Sequence, residues 1–394
     1  MFDQDRKNQF GSVLEHIADS LDIPESRYLE SEERYKAVGK WLSKEDSPSA
    51  VFSPEIYPQG SFRVGTVVKP ISKEDKYDID LVCQLDISKH AVTQQALKKM
   101  VGDRLKANQT YAAMLDEEGR RCWTLNYADS AMFHMDILPA IPDDYGWLLG
   151  LGVPTEFAQN ALCITDKKRW NTDPDWPRSN PKGYALWFRE QMKVIFESRK
   201  EYMAEQLRAN IEDVPDYKVK TPLQRAIQIL KRHRDIMFEN DYDDKPISII
   251  ITTLASHAYN NEADLFDALS SIIDGMPNYI LEKGGNAWIP NPVDPLENFA
   301  DKWQEKPEKQ VKFRRWLLQV REDLSSAFEE IGIHKVADRL KPAFGERAVN
   351  DAMKRMGDDF RTKRESGLLS MAAGTGILGN MGTTSVKDHT FYGE

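Results

Sequence analysis

Two aspartates stand one residue apart, Asp78 and Asp80, in the otherwise apolar run YDIDLVCQL. In a β-strand, residues i and i+2 point to the same side, so both carboxylates would lie side by side while Ile79 and Leu81 face a core. Two like charges at that spacing repel, and an apolar strand is a costly place for them. A cation between them would offset the repulsion, so the pattern predicts a metal site.

Two further features complete a candidate site. A third aspartate, Asp136, lies in the alternating run MFHMDIL, which predicts a second strand beside the first. Upstream, Gly60-Ser61 could let the backbone approach a phosphate and donate to its oxygens. Three carboxylates suit two Mg²⁺ ions bridging a nucleoside triphosphate, with Mn²⁺ as an alternative ion. The set predicts phosphoryl transfer achieved by positioning and charge neutralisation.

Each feature also has an ordinary explanation. A Gly-Ser pair alone is usually a turn, an Asp-x-Asp alone is more often a solvated strand edge or a fragment of a calcium loop, and a single aspartate can simply end a strand. Only their combination in this order, with strand patterns around both acidic positions, favours the functional interpretation.

The surrounding periodicity predicts an α+β chain. Strands are expected at 55–58, 78–85, 122–127 and 132–138, the last ended by Pro139, followed by a long irregular connection over 140–181. Helices are expected at about 5–21, 28–44, 90–106, 182–206, 222–239, 247–260, 263–274, 307–331, 334–341 and 345–361. We therefore predict a mixed-sheet domain over 1–180, a helical domain over 181–364 and a flexible tail over 365–394.

Composition restricts the class of protein. The 394 residues are 41% hydrophobic and 29% charged, and no apolar run approaches the ~20 residues of a membrane helix. The polar start MFDQDRKNQF does not resemble a secretory signal. The cysteines Cys83, Cys122 and Cys163 lack metal-like spacing and the seven histidines are scattered, so we expect reduced thiols, no zinc and a cytoplasmic protein without membrane partners. A net charge of −10 argues against general nucleic-acid binding.

The segments GSFRVGTVVKP, YDIDLV and FHMDILPA resemble the DNA polymerase β-like nucleotidyltransferases. More narrowly, the chain is similar over most of residues 1–360 to the bacterial cGAS/DncV-like nucleotidyltransferases (CD-NTases), which make cyclic oligonucleotide signals in anti-phage (CBASS) defence. The resemblance implies a polymerase β-like core, a mixed sheet with flanking helices, separated by a cleft from a C-terminal helical domain. It also implies that Asp78, Asp80 and Asp136 ligate two Mg²⁺ ions, that Asp136 helps to deprotonate the attacking ribose hydroxyl, and that Gly60 and Ser61 hold the triphosphate.

The sequence differs from the family pattern in two places. The spacer between Ser61 and Asp78 is longer than in many members, with the extra residues in the charged segment Lys73–Lys76, which we expect to be an exposed loop. Ile249 stands where some relatives carry an aromatic residue that stacks on the base. Base stacking is therefore unassigned.

In the helical half, the resemblance implies that Lys231, on the helix TPLQRAIQILKRHRD, contacts the triphosphate, assisted by Ser248 at the start of the next helix. The alternative is that Lys231, Arg232 and Arg234 form a solvated basic face.

The expected reaction joins NTPs, either ATP and GTP or others, into a cyclic dinucleotide, cGAMP-like and favoured over a trinucleotide, with release of pyrophosphate. Nucleotidyl transfer to RNA or protein, or a non-catalytic nucleotide-binding scaffold, are the alternatives. The chain has no cysteine-histidine insert like that of the animal enzyme, so no DNA activator is expected. The C-terminal residues Val386–Glu394 are a candidate handle for ubiquitin-transfer-like partner enzymes, or simply a frayed terminus.

Overall fold

The computed structural model describes residues 2–72, 76–127, 133–172, 175–208, 210–373, 375–379, 382 and 384–386. Most of the charged segment Lys73–Lys76 and nearly all of the candidate C-terminal handle, residues 387–394, lie outside this range. The expectations for those two segments therefore stay predictions.

Helices and strands follow the predicted order. The helices are α1 Phe2–Leu21, α2 Glu25–Leu42, α3 Gly60–Arg63, α4 Gln94–Lys106, α5 Gln109–Met114, α6 Gly146–Gly150, α7 Thr155–Ala158, α8 Pro181–Leu207, α9 Pro222–Met237, α10 Ser248–Ala258, α11 Leu265–Gly275, α12 Asp301–Glu305, α13 Pro307–Glu329, α14 Ile333–Phe344 and α15 Glu346–Glu365. The strands are β1 Glu55–Pro58, β2 Tyr77–Gln84, β3 Trp123–Tyr127, β4 Phe133–Pro142, β5 Leu162–Ile164, β6 Arg178–Ser179, β7 Leu281–Lys283, β8 Asn286–Trp288, β9 Pro290–Asn291, β10 Asp294–Asn298, β11 Ser370–Met371, β12 Leu378–Gly379 and β13 Thr384–Ser385.

The chain divides into two compact units. The sheet unit contains the described residues of Ile23–Gln191 and of Pro290–Asn298. The helical unit contains those of Met1–Asp22, Met192–Ile289 and Phe299–Glu394. The predicted domain boundaries at 180 and 364 stay a prediction. The two compact units divide the chain differently, because α1 belongs to the helical unit and the β9–β10 hairpin belongs to the sheet unit.

The sheet unit is built on a six-stranded mixed sheet. Its strand order is β1-β2-β4-β5-β6, and β3 also pairs with β4. Strands β2 and β4 are parallel, whereas β1 pairs antiparallel with β2, and β3 and β5 pair antiparallel with β4. The predicted α+β architecture is therefore confirmed.

Pro139 does not end its strand, contrary to the sequence-based prediction. Strand β4 continues through it to Pro142. On one side, β4 pairs with β3 up to Ile137 and with β5 from Ala140 onward. Pro139 lies at the change of partner, where the missing N–H interrupts neither ladder on that side.

The segment 140–181 is more regular than expected. Two short helices, α6 and α7, and two short strands, β5 and β6, occupy much of it. Because the strands extend the sheet beyond β4, this segment completes the sheet and is not a simple connection. Alternation over three residues or fewer is too short a signal to read from sequence.

One face of the sheet carries the core of this unit. Ile79 and Leu81 are buried, as predicted, in a cluster with Leu97 and Val101 of α4. At Gly102 a Cβ would lie 2.2 Å from the Trp123 ring, so α4 packs directly on the first residue of β3. The Trp123 indole N–H donates to the Lys98 carbonyl at 2.9 Å, which fixes this contact.

The helical unit is centred on α9, which begins where Thr221-Pro222 predicted. Thr221 and Gln224 form a capping box, and every residue from Pro222 to Arg234 is buried. Helices α1, α10, α11, α13 and α14 pack around it. The Arg225 guanidinium joins α9 to α1 through Asp22 (2.6 Å) and Asp19.

The predicted flexible tail contains secondary structure in its described part. Strands β11, β12 and β13 form a small antiparallel sheet, and Leu369 just before it is buried. The Thr375 hydroxyl donates to Asp5 of α1 at 3.3 Å. Short strands rich in glycine, serine and threonine carry too weak a pattern for the sequence to reveal them.

Two simple findings concern the whole described chain. The cysteines Cys83, Cys122 and Cys163 are free thiols. Within the residues that the structure describes, no helix has both the length and the apolar character needed to cross a membrane.

We predict that Gly102→Ala strongly destabilises the sheet unit, because its new methyl group would overlap the Trp123 ring. Thermal or denaturant unfolding should show a loss of about 1–3 kcal/mol. Gly357→Ala is the matched control, because nothing lies within 4 Å of a Cβ placed on that helical glycine. It should raise stability by about 0.5–1 kcal/mol through helix propensity. Equal effects of the two substitutions would contradict the described packing of α4.

Candidate functional site

The parallel register of β2 and β4 places the three predicted aspartates on one face of the sheet. Asp80 is directly opposite Asp136, and Asp78 is opposite His134. Since directly opposed residues share a face, Asp78, Asp80 and Asp136 all point away from the core formed by Ile79 and Leu81. Asp78 is exposed, and the other two aspartates are half-buried.

Strand β3 adds a residue that the sequence analysis missed. Thr124 is directly opposite Asp136 in the antiparallel pairing, and its hydroxyl donates to Asp136 Oδ1 at 2.5 Å. Asp136 therefore lies between Asp80 on one neighbouring strand and Thr124 on the other. The alternating pattern of β3 indicates which way Thr124 faces. Trp123, Leu125 and Tyr127 are buried, so Thr124 points to the opposite face of the sheet. The strand register needed to use that signal comes only from the structure.

The Gly-Ser turn lies against the same face. Gly60 has φ of +60°, and a Cβ built there would be 2.8 Å from Asp80 Oδ2. The Gln59 N–H donates to the Asp80 carbonyl at 2.8 Å. Only glycine meets both the left-handed backbone and the close approach without strain. The structure thus brings Gly60 beside Asp80, and Ser61 follows in the first turn of α3.

An aromatic stack holds the other side of this turn. The Phe62 ring is buried and lies parallel to the Tyr28 ring of α2, with 4.8 Å between their centroids. Helix α3, which begins at Gly60, is thereby anchored to the core one residue after Ser61. The turn that holds Gly60 against Asp80 is therefore fixed by packing on both sides of Ser61.

The electrostatics of Asp80 reflect this crowding. Burial, together with the neighbouring carboxylates of Asp136 and Asp78, raises the pKa of the Asp80 carboxyl to about 6. The three aspartates therefore lie close enough for the charges of two of them to raise the pKa of the third, Asp80. A positive ion at this face would reverse the shift, because it stabilises the ionised form.

Oxygen ligands of this kind match the preference of hard divalent cations. Among the residues described, however, no three His, Cys, Asp or Glu side chains are already grouped as a metal-binding set. Side-chain rotation on the fixed strands would be needed before the three carboxylates could share one ion. The donor chemistry and the charge crowding at Asp80 fit a divalent cation, and the backbone register supplies the proximity.

Lys231 and Ser248 lie in the helical unit. Arg234 of α9 donates to Ser248 Oγ at 2.9 Å and to the Pro246 carbonyl at 3.0 Å, which fixes the start of α10. Burial, together with the charge of Arg234, lowers the pKa of Lys231 to about 7. Lys231, Arg232 and Arg234 are all buried, so the alternative of a solvated basic face is wrong.

Comparison with known proteins gives this arrangement a family. Residues 54–139 match the family model described as cyclic GMP-AMP synthase DncV-like, nucleotidyltransferase domain. That range contains Gly60, Ser61, Asp78, Asp80 and Asp136. It also includes β3, which carries Thr124.

Similar proteins extend the match to the whole chain. A c-di-GMP synthase of Roseivirga ehrenbergii is 30% identical over 393 residues, covering 98% of both chains. The cyclic dinucleotide synthase CdnG of Bradyrhizobium diazoefficiens is 25% identical over 413 residues, covering 97% of this chain and 94% of its own. The structure of CdnG in complex with GTP superimposes with a TM-score of 0.68 at 23% identity, covering 89% of this chain and 99% of that one.

The chain belongs to the DncV-like nucleotidyltransferases, the CD-NTases, as the sequence motifs predicted. It is a nucleotidyltransferase that makes cyclic dinucleotides. The expected alternatives, transfer to RNA or protein and a non-catalytic scaffold, are therefore not favoured. Nucleotidyltransferases of this family generally use divalent metal ions, and the related solved structures bind GTP or ATP.

We predict that Asp80→Asn stabilises the metal-free protein at pH 7.5. The folded-state pKa of about 6 exceeds the ordinary 3.8, so ionised Asp80 costs folding free energy above pH 4, with the full cost reached above pH 6. A shift of two units corresponds to at most ~3 kcal/mol, and for a half-buried group we expect about 1–2 kcal/mol.

Denaturant unfolding in the presence of a chelator measures this effect. The gain from Asp80→Asn should shrink as the pH falls from 6 to 4 and disappear near pH 3, where the carboxyl is mostly protonated in both states. The exposed Asp86 is the control, and Asp86→Asn should change stability little at either pH. A loss of stability in Asp80→Asn at pH 7.5 would contradict the repulsion at this face.

Proposed function

We propose that the protein condenses two molecules of GTP into cyclic di-GMP and releases two pyrophosphates. The observation that carries this proposal is the parallel register of Asp80 with Asp136, with Gly60 against Asp80, in a chain similar over its whole length to a c-di-GMP synthase. The ribose hydroxyl of one nucleotide attacks the α-phosphorus of the other. A phosphorus–oxygen bond forms, the bond to pyrophosphate breaks, and a second such step closes the ring.

Each site residue has a proposed role. Asp78, Asp80 and Asp136 hold two Mg²⁺ ions, or Mn²⁺ in their place, and Asp136 also accepts the proton of the attacking hydroxyl. The bound ions would supply charge neutralisation for the triphosphate and its leaving group. Gly60 and Ser61 cradle the phosphates through the amides at the start of α3. The fixed turn supports this role, because hydrogen-bond donors bind phosphate oxygens best when the fold already holds them in the right direction.

A mixed product of ATP and GTP is the second candidate. The matched family model carries the description cyclic GMP-AMP synthase DncV-like, and a cGAMP-like product was the expectation from the sequence motifs. The c-di-GMP synthase matches 98% of this chain, whereas the family model matches residues 54–139. We therefore rank GTP as the sole substrate ahead of a mixture of ATP and GTP. Ile249 carries no aromatic ring, which leaves base selection to other residues.

Three further proposals concern partners and context. The protein works in anti-phage CBASS signalling, in the cytoplasm, as its family membership suggests. It requires no DNA activator, since the sequence has no cysteine-histidine insert. The C-terminal residues could be joined to targets by ubiquitin-transfer-like partner enzymes. The pairing of β13 with β11, and the hydrogen bond from the Val386 N–H to the Leu369 carbonyl, are consistent with a handle that begins after the small sheet.

Product analysis tests the proposed reaction. Incubation with labelled GTP and Mg²⁺, without DNA, should give a phosphatase-resistant product with the mass of cyclic di-GMP. Asp78→Ala combined with Asp80→Ala should abolish it, whereas Asp103→Ala at an exposed aspartate of α4 should not. If product forms only when ATP is added with GTP, the mixed cyclic dinucleotide replaces cyclic di-GMP. If no mixture of nucleotides gives a cyclic product, the proposed function fails.

We also propose that Lys231 contacts the triphosphate, which its lowered pKa makes measurable. At pH 8 a lysine with a pKa of about 7 is mostly neutral, and a bound triphosphate would raise that pKa again. Binding of a nonhydrolysable GTP analogue should therefore take up roughly one proton. Calorimetry in buffers of different ionisation enthalpy measures the uptake.

Lys231→Met should remove the proton uptake and weaken binding. Lys335→Met, at an exposed lysine of α14, serves as the control and should retain both. Unchanged uptake in Lys231→Met would show that another group accepts the proton, and Lys231 would then be a buried structural residue.

A further inference from the structure

We infer that Thr124 is a positioning residue for Asp136, an inference that rests on the proposed function of the carboxylate face. Nothing in the motifs of the chain pointed to β3 as part of the site. The structure places Thr124 directly opposite Asp136, on the side away from Asp80, and gives its hydroxyl a hydrogen bond of 2.5 Å to Asp136 Oδ1.

The hydrogen bond leaves Asp136 with two distinct oxygens. A hydroxyl has one proton to donate, and a bond from O–H to a carboxylate is among the stronger hydrogen bonds of proteins. With Oδ1 held by Thr124, rotation of the carboxylate about its side-chain bonds is restricted. Oδ2 then remains for a divalent cation or for the hydroxyl proton of the substrate.

Thr124 is itself well placed to hold another side chain. Its neighbours Trp123 and Leu125 are buried in the core on the opposite face. Its carbonyl accepts the Asp116 N–H at 2.9 Å, and its backbone is paired with β4. A β-branched residue in a strand has few χ1 rotamers, so its hydroxyl keeps one direction at low entropic cost. The donor is therefore fixed before any ligand binds.

Without this hydroxyl, the Asp136 carboxylate loses a fixed partner while Asp80 remains on its other side. Repulsion between the two carboxylates then favours rotamers that separate them. Such rotamers take Asp136 away from the position in which it would share an ion with Asp80. We therefore expect weaker binding of the divalent cation and slower chemistry, with little effect on recognition of the nucleotide itself.

The test uses the full-length chain with Thr124→Val, which removes the hydroxyl at nearly constant shape, and Thr124→Ser, which keeps it. Binding of Mn²⁺ in the presence of a nonhydrolysable GTP analogue is followed by electron paramagnetic resonance, independently of turnover. Thr124→Val should weaken Mn²⁺ binding and lower kcat by roughly tenfold, the value of one such hydrogen bond. Its KM for GTP at saturating metal should stay within about twofold, which a general loss of structure would not allow.

Thr124→Ser should restore both Mn²⁺ binding and kcat to within a few-fold of the original chain. Thr124→Val that binds Mn²⁺ and turns over like the original chain would overturn the inference, as would Thr124→Ser as defective as Thr124→Val. If thermal melting shows that Thr124→Val does not fold, Thr124→Ala removes the same hydroxyl and is compared with serine. An original chain that binds Mn²⁺ but makes no cyclic product would instead overturn the proposed function.

Discussion

Repulsion between carboxylates held on one face of a sheet is the constraint on which the rest of the structure depends. The backbone pairing of β2 with β4 fixes Asp80 opposite Asp136, and the hydrogen bonds of a parallel ladder prevent the two from moving apart. Folding therefore accepts an unfavourable arrangement, since burial and, after it, the charges of Asp136 and Asp78 raise the pKa of Asp80. Ion-binding sites commonly hold like charges close together, because the bound ion removes their repulsion.

The remainder of the sheet unit keeps this face fixed. Apolar side chains of β2, β3 and β4 alternate with the polar ones and bury the opposite face against α4, where Gly102 permits contact with Trp123. A slip of one residue in any strand would reverse its two faces and expose the core. The same packing that stabilises the unit thus specifies which side chains meet at the site, and Gly60 lies directly against Asp80.

The sequence predicted the parts of this site that depend on local pattern. Period-two alternation identified Asp78, Asp80 and Asp136, and the helix signals at Thr221 and beyond were followed closely by the structure. Thr124 was missed because its role depends on which strand pairs with β4 and in what register, a long-range property. The prediction that Pro139 ends its strand was wrong for the same reason. A proline ends a strand only where a neighbouring strand needs its N–H as a hydrogen-bond donor.

Burial in the helical unit was equally hard to anticipate. Lys231 was identified by its position in a motif, with a solvated basic face formed with Arg232 and Arg234 as the alternative. Only the packing of five helices around α9 shows that these cations are buried and that Arg234 is bonded to Ser248. Charged side chains are costly in such an interior unless they are paired, and the Arg234 guanidinium pairs with Asp235 at 2.7 Å.

The most direct test of this account is a crystal structure of the protein with Mn²⁺ and a nonhydrolysable GTP analogue, in which anomalous scattering locates the metal. The account predicts manganese bonded to Asp78, Asp80 and Asp136, with the triphosphate against Gly60 and Ser61. Manganese bound elsewhere, or a nucleotide bound without metal at these three carboxylates, would contradict it.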